Sequence, residues 1–75
     1  MPAPRNNLKA ALARGEIQIG LWLGTGHPLM AEIAATSGYD WCLIDGEHAP
    51  NDIPLILAQL QAMNGAGAAP VVRVP

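Results

Sequence analysis

An α/β chain built on a parallel β-sheet is what this sequence predicts, and three observations predict it. After an opening helix, strand-like and helix-like segments alternate, which is the pattern of βαβ units. The run Trp41-Cys42-Leu43-Ile44 is continuously apolar, as expected of a parallel strand covered on both faces. The connections are short, and polar residues gather just after the strands rather than within them.

Residues 4–14 read as a short helix. Asn6 or Asn7 can cap it, Leu8, Ala11 and Leu12 follow helical spacing, and Gly15 can end it. Residues 17–24, rich in strand formers and partly alternating, give the first strand. Thr25-Gly26-His27-Pro28 is a loop, with Pro28 suited to the first turn of a helix because its missing N–H has no partner there. His27 is expected to be a solvated loop and cap residue. Leu29, Ile33 and Ala34 recur at helical spacing, and Gly38 is a natural stop. Residues 39–45 give the second strand, with Cys42 as inert core within it. Residues 46–51 form a polar loop. Asn51 or Asp52 caps the next helix, Pro54 sits in its first turn, and Leu55, Ile56, Leu57, Leu60 and Met63 supply its apolar face. Gly65 and Gly67 end it, and residues 70–75 give the third strand.

Both crossovers are expected to be right-handed. A three-stranded parallel sheet of this kind leaves two raw edges and an uncovered face. The TIM barrel removes such edges by closing on itself, at about 250 residues, of which this chain would supply about a third. Composition points the same way. The chain of 75 residues is 51% hydrophobic and 13% charged, about half the charged fraction of an average globular chain. The expectation is therefore an incomplete barrel: residues 1–75 as the N-terminal part, about three βα units, of a single TIM-barrel domain.

Several function classes drop out. The net charge is −2, and three of the four basic residues, Arg5, Lys9 and Arg14, lie near the start without aromatic neighbours. That is not the basic stripe of a nucleic-acid binder. No stretch of about 18 apolar residues is present, so no membrane helix is expected. The opening MPAPRNNLKA lacks the apolar region of a signal peptide. One cysteine cannot form an internal disulfide, which suits a reducing compartment. A cytoplasmic protein is the expectation.

In βα proteins the chemistry gathers at the carboxyl ends of the strands. There the sequence places Asp45, Glu47 and His48 after the second strand, Arg73 near the end of the third, and Trp22 toward the end of the first. His is the side chain suited to proton exchange near neutral pH. Arg offers a fixed fork of donors to a carboxylate or a developing enolate oxygen. The set fits proton transfer beside a carbonyl on a small acidic substrate. Gly24-Thr25-Gly26 lacks the third glycine and the Lys-Ser/Thr ending of a phosphate loop and is set aside.

Asp45-Gly46-Glu47-His48-Ala49-Pro50-Asn51, followed by Pro70-Val71-Val72-Arg73 and preceded by Gly20-Leu21-Trp22, resembles the opening of the HpcH/HpaI aldolase family, the metal-dependent hydroxy-ketoacid (pyruvate) aldolases. The resemblance covers essentially the whole chain. It implies a TIM barrel that reversibly cleaves 4-hydroxy-2-oxo acids into pyruvate, or a related 2-oxo acid, and an aldehyde. A divalent metal, Mg²⁺, Mn²⁺ or Co²⁺, would stabilise the enolate as a Lewis acid. By position, His48 matches the catalytic base, Arg73 the arginine on the keto or enolate oxygen, Asp45 a catalytic-pocket carboxylate near the aldehyde end, and Trp22 a substrate-pocket wall; Glu47 receives no role. The family's metal ligands, a Glu and an Asp, come from later strands, so no metal site and no activity are expected of these 75 residues without the remainder of the barrel. A homohexamer is the implied assembly.

Plainer readings stand beside these. His48 as a loop or capping residue, Arg73 as half of a structural ion pair, Asp45 as a loop cap, Glu47 as a helix-dipole residue and Trp22 as ordinary core all fit the residues taken singly. Two other functions also fit: a citrate-lyase-like C–C lyase of the same barrel superfamily, and a non-catalytic assembly piece.

Overall fold

A computed structural model describes residues 5–75. The order is α1 (Asn7–Ala13), β1 (Gly20–Leu23), α2 (Pro28–Ala35), β2 (Trp41–Asp45), α3 (Ile53–Met63) and β3 (Ala69–Arg73). The strands form one parallel sheet in the order β1-β2-β3. The expected alternation is therefore present, with β2 in the middle where its apolar run demands it.

Each helix begins on a side-chain cap. Asn6 accepts a hydrogen bond from the Lys9 backbone, His27 from Leu29 and Asp52 from Leu55, each satisfying a first-turn N–H that the helix leaves open. Asp52 rather than Asn51 takes the third cap, which frees Asn51 for another task. Helix α1 begins at Asn7, and Pro4 lies outside the described residues. Gly15, Gly38 and Gly65 all hold positive φ, the left-handed conformation that ends a helix at little cost.

The first strand is shorter than residues 17–24. Ile17 and Ile19 are exposed, and residues 17–19 precede the start of β2. There Asp40 holds the end of the ladder, its side chain accepting from the Ile19 N–H at 2.8 Å and its own N–H donating to the Ile19 carbonyl at 2.7 Å. Strand β2 is likewise trimmed, from residues 39–45 to Trp41–Asp45, and β3 begins one residue before the expected 70–75 and ends two residues short of it, at Arg73.

Register sorts the side chains into two faces. Leu23 aligns with Ile44, and Ile44 with Val72. This face carries the core, in which Cys42 and Ile44 are fully buried with Ala31, Ala34, Ala35, Met63 and Ala68 around them. Burial alone pushes the Cys42 thiol pKa up. The opposite face carries Trp22, Trp41, Leu43 and Val71, and Trp22 is 51% exposed. Helices α2 and α3 thus pack on the core face of the sheet, as on the outer wall of a barrel.

Two helix faces differ from the sequence expectation. On α2 the buried residues are Ala31, Ala34 and Ala35, while Leu29 and Ile33 point outward. Small side chains at i, i+3 and i+4 let α2 lie close to both the sheet and α3, and the larger residues do not fit that gap. On α3, Ile56, Leu60 and Met63 pack inward but Leu57 is exposed, and the fully buried polar residue on the inner face is Gln59. No described helix is long and apolar enough to cross a membrane.

Candidate active site

The last residues of the three strands come together at the carboxyl edge of the sheet. Asp45 and Arg73 are register partners, so they leave adjacent strands on the same face. Trp22 projects from β1 on that face, one step behind. The fold therefore juxtaposes Trp22, Asp45 and Arg73, with Glu47 and His48 in the loop directly above.

Asp45 is the hub of this cluster. It is only 3% exposed, yet its carboxylate meets five donors. Oδ2 accepts from Arg73 Nη2 at 2.5 Å and from the Trp22 indole Nε1 at 3.1 Å. Oδ1 accepts from Arg73 Nε at 3.1 Å and from the backbone N–H groups of Glu47 and His48 at 2.9 and 3.0 Å. A buried carboxylate is costly unless it is paired and hydrogen-bonded, and here both conditions are met. The forked guanidinium of Arg73, followed by the His48 N–H, holds the Asp45 carboxyl far below the usual carboxylate range; burial opposes this, and the Trp22 indole and the Glu47 N–H assist. Arg73 responds in kind: its pKa is raised, chiefly by its hydrogen bonds to Asp45.

Arg73 is constrained on three sides. Nε and Nη2 are held by Asp45, its guanidinium carbon lies 5.3 Å from the centroid of the Trp22 ring, and Glu47 Oε2 approaches Nε at 3.8 Å. Nη1 makes no bond among the described residues, and the side chain is about one-third exposed. The guanidinium thus presents one fixed donor edge outward. Glu47 bridges to the imidazole as well, with Oε1 at 3.1 Å from His48 Nε2. The His48 side chain is 69% exposed.

The loop carrying Glu47 and His48 is tied at both ends. Gly46 N–H donates to the Arg73 carbonyl at 2.9 Å, continuing the ladder one residue past β2. Asn51 Nδ2 donates to the Asp45 carbonyl at 2.6 Å, and Gln59 Nε2 donates to Asn51 Oδ1 at 2.7 Å. Sequence reasoning passed over Gln59 and read Asn51 only as a cap candidate. The signal was present: Gln59 falls between Ile56, Leu60 and Met63 on an apolar helical face, where an amide needs a partner.

Among the described residues no group of three or more His, Cys, Asp or Glu side chains converges to hold a metal ion. The donor chemistry explains why. Both oxygens of Asp45 are occupied by Arg73, Trp22 and backbone N–H groups, while Glu47 and His48 face each other. The described residues therefore do not fit a metal site of their own.

The family model described as HpcH/HpaI aldolase/citrate lyase matches residues 18–75. A hydroxypyruvate/pyruvate aldolase of Agrobacterium fabrum (strain C58) is 56% identical over 75 residues, covering 100% of this chain and 28% of that protein. A 5-keto-4-deoxy-D-glucarate aldolase of Shigella boydii serotype 18 is 48% identical over 75 residues, covering 100% of this chain and 29% of the other. The crystal structure of an HpcH/HpaI aldolase/citrate lyase family protein from Burkholderia cenocepacia J2315 superposes with a TM-score of 0.84 at 47% identity, over 95% of this chain and 29% of that one. The chain spans less than a third of the length of these relatives.

Proposed function

This chain belongs to the HpcH/HpaI aldolase/citrate lyase family, and on that premise we propose that its residues serve a carbon–carbon lyase, an aldolase that joins or splits a pyruvate-type 2-oxo acid and an aldehyde. The fold is the three-unit α/β portion of the family's TIM barrel. The observation that carries the proposal is the cluster at the carboxyl edge: an arginine fork fixed by a buried aspartate, next to an exposed imidazole that leans on a glutamate. The curated relatives bear the names of pyruvate-type aldolases with different aldehyde partners, which supports a shared donor chemistry at these common residues.

In this reading each residue has one task. Arg73 directs its free Nη1 edge at the carbonyl oxygen of the 2-oxo acid, where negative charge develops as the enolate forms. Asp45 and Trp22 hold that guanidinium in place, so little reorganisation is needed when the charge appears. His48 exchanges the proton, and Glu47 orients the imidazole through Nε2. Trp22 also forms a wall of the pocket. The divalent metal that the family resemblance implies would take its ligands from residues outside this chain; when bound, it would polarise the 2-oxo acid as a Lewis acid. The homohexamer, the cytoplasmic setting and the inactivity of these residues without a complete barrel belong to the same proposal.

The test is pyruvate release from a 4-hydroxy-2-oxo acid by the whole aldolase carrying these residues, with Mn²⁺ and with a chelator. Metal-dependent release is expected. The family's description also covers citrate lyases, which makes a citrate-type C–C lyase the second reading. Cleavage of a citryl substrate without any aldol cleavage would favour it over the aldolase.

A further inference from the structure

We propose that Gln59 is a positioning residue: through Asn51 it fixes the loop that presents Glu47 and His48. The inference rests on the aldolase reading of His48. The imidazole itself has little to hold it, since its side chain is 69% exposed and its one charged neighbour among the described residues is Glu47, itself 43% exposed. Its place relative to Arg73 is therefore set by the backbone beneath it. Residues 46–51 form no helix or strand, so that backbone depends on discrete anchors. Asp45 Oδ1 holds the near side through the N–H groups of Glu47 and His48. The far side is held by a chain of two amides.

Gln59 is fully buried on α3. Both hydrogens of its amide nitrogen are used, one on Asn51 Oδ1 at 2.7 Å and one on the Leu55 carbonyl at 3.0 Å. Asn51 then has its oxygen turned to α3, and its nitrogen reaches back to the Asp45 carbonyl at 2.6 Å. The two amides bridge the interior helix to the final residue of β2 and close the loop into a fixed span. Packing does not call for this arrangement. Gln59 Oε1 is buried and accepts no bond among the described residues, a standing cost that a methionine or leucine would avoid. A buried amide with one unsatisfied oxygen, committed through its other end to the loop of the candidate base, is placed for position rather than for stability.

The experiment compares kcat, KM and melting temperature of the whole aldolase with those of Gln59→Met, Asn51→Ala and the double variant, with His48→Ala as control. Gln59→Met conserves volume and removes the amide; Asn51→Ala cuts the link in the half-buried loop and decides the matter if the helix variant does not fold. Each single variant is expected to lose roughly 10–100-fold in kcat, the scale of a reacting group displaced by about an ångström, with KM little changed. The double variant is expected to be no worse than the weaker single variant, since both lie on one path. A merely structural role predicts a lower melting temperature with kcat per folded molecule intact. Turnover within about twofold of the parent in both single variants, while His48→Ala is severely impaired, overturns the proposal and leaves the aldolase reading standing. Near-full turnover by His48→Ala removes His48 from the mechanism, and the positioning role falls with it.

Discussion

Arg73 and Asp45 stand opposite each other on the last rung of the β2–β3 ladder, and their side chains meet as a fork on a carboxylate, Nη2 on Oδ2 and Nε on Oδ1. Parallel pairing puts register partners on the same face, so the backbone alone brings these two groups together. The pair is asymmetric in exposure: the aspartate is buried, while the arginine reaches the surface with one edge unused. Asp45 thus holds one side of the guanidinium and leaves the other turned outward.

Replacing Asp45 by Asn tests this directly. The neutral amide keeps the shape but can satisfy its surroundings only in part. Whichever way it turns, an N–H₂ faces either Arg73 Nη2 and the Trp22 indole, or Arg73 Nε and the two backbone N–H groups of the loop. Arg73 would lose its fixed orientation. In the whole protein, Asp45→Asn is expected to lower kcat/KM on the order of 10²-fold, the scale of one oxyanion donor, and to lower the melting temperature. Steady-state kinetics and thermal unfolding check both, and wild-type kinetics with a reduced melting temperature would confine Asp45 to a structural role.

Acid should release the same pair. In the unfolded chain Asp45 titrates at its ordinary value of 3.8, whereas in the fold Arg73 and the loop N–H groups hold it far lower. Below 3.8 the unfolded chain therefore binds more protons than the folded one, and stability rises with pH through that window. The contribution of Asp45 is complete above 3.8 and is lost progressively as the pH falls toward the depressed folded value. Acid unfolding followed by tryptophan fluorescence should show this slope below pH 3.8 in the parent and a shallower one in Asp45→Asn. Equal slopes would mean that other carboxylates dominate the acid transition.

The elements and the edge they converge on were legible in the sequence because each rests on local chemistry: caps, glycines and a continuous apolar strand. The positions of Asp45, Glu47, His48 and Arg73 followed from the rule that βα chemistry sits at strand carboxyl ends. What the sequence did not disclose depends on distances between elements. Nothing local says that Asp45 would meet five donors, or that Trp22 would reach back to it from a neighbouring strand. The alanine face of α2 was hidden because periodicity weighs Leu29 and Ile33 above Ala31 and Ala35, whereas close helix–sheet approach favours the smaller residues. Glu47 had no evident task until the fold put it between His48 and Arg73.

His48 carries the proton-transfer prediction. If the imidazole is the base of the proposed reaction, His48→Ala in the whole protein lowers kcat by roughly 10²–10⁴, the usual span of general acid–base catalysis. Proton exchange at the methyl group of pyruvate, followed by NMR in deuterated water without aldehyde, isolates the step assigned to His48. Exchange at the parent rate in His48→Ala would move that role to another group.

Arg73→Lys separates charge from fork. The ammonium keeps the positive charge beside Asp45 but cannot engage both carboxylate oxygens and still present a fixed outward donor. A loss on the order of 10²-fold in kcat/KM is expected. Near-normal turnover would show that Coulomb attraction to Asp45 is all that the site requires, and would reduce the residue to an ion-pair partner.

Gly46 offers the test that touches none of the reacting groups. It follows Asp45 directly, and a Cβ there would lie 2.8 Å from the Arg73 carbonyl oxygen, a backbone atom that cannot rotate away. The same carbonyl accepts the Gly46 N–H at 2.9 Å. Gly46→Ala must therefore push β2 and β3 apart at the rung where Asp45 and Arg73 meet. Overpacking of this kind costs about 1–3 kcal/mol, and the opened rung shifts Arg73 relative to His48. The expected outcome is a lower melting temperature together with a fall in kcat/KM of about tenfold or more, since misplacement by an ångström is enough. Gly67→Ala is the control, because a Cβ at Gly67 meets nothing within 4 Å, and it should leave kinetics intact. If Gly46→Ala lowers stability but retains the parent's kcat/KM, the fork tolerates strand separation, and the tight geometry at the sheet edge serves folding rather than catalysis.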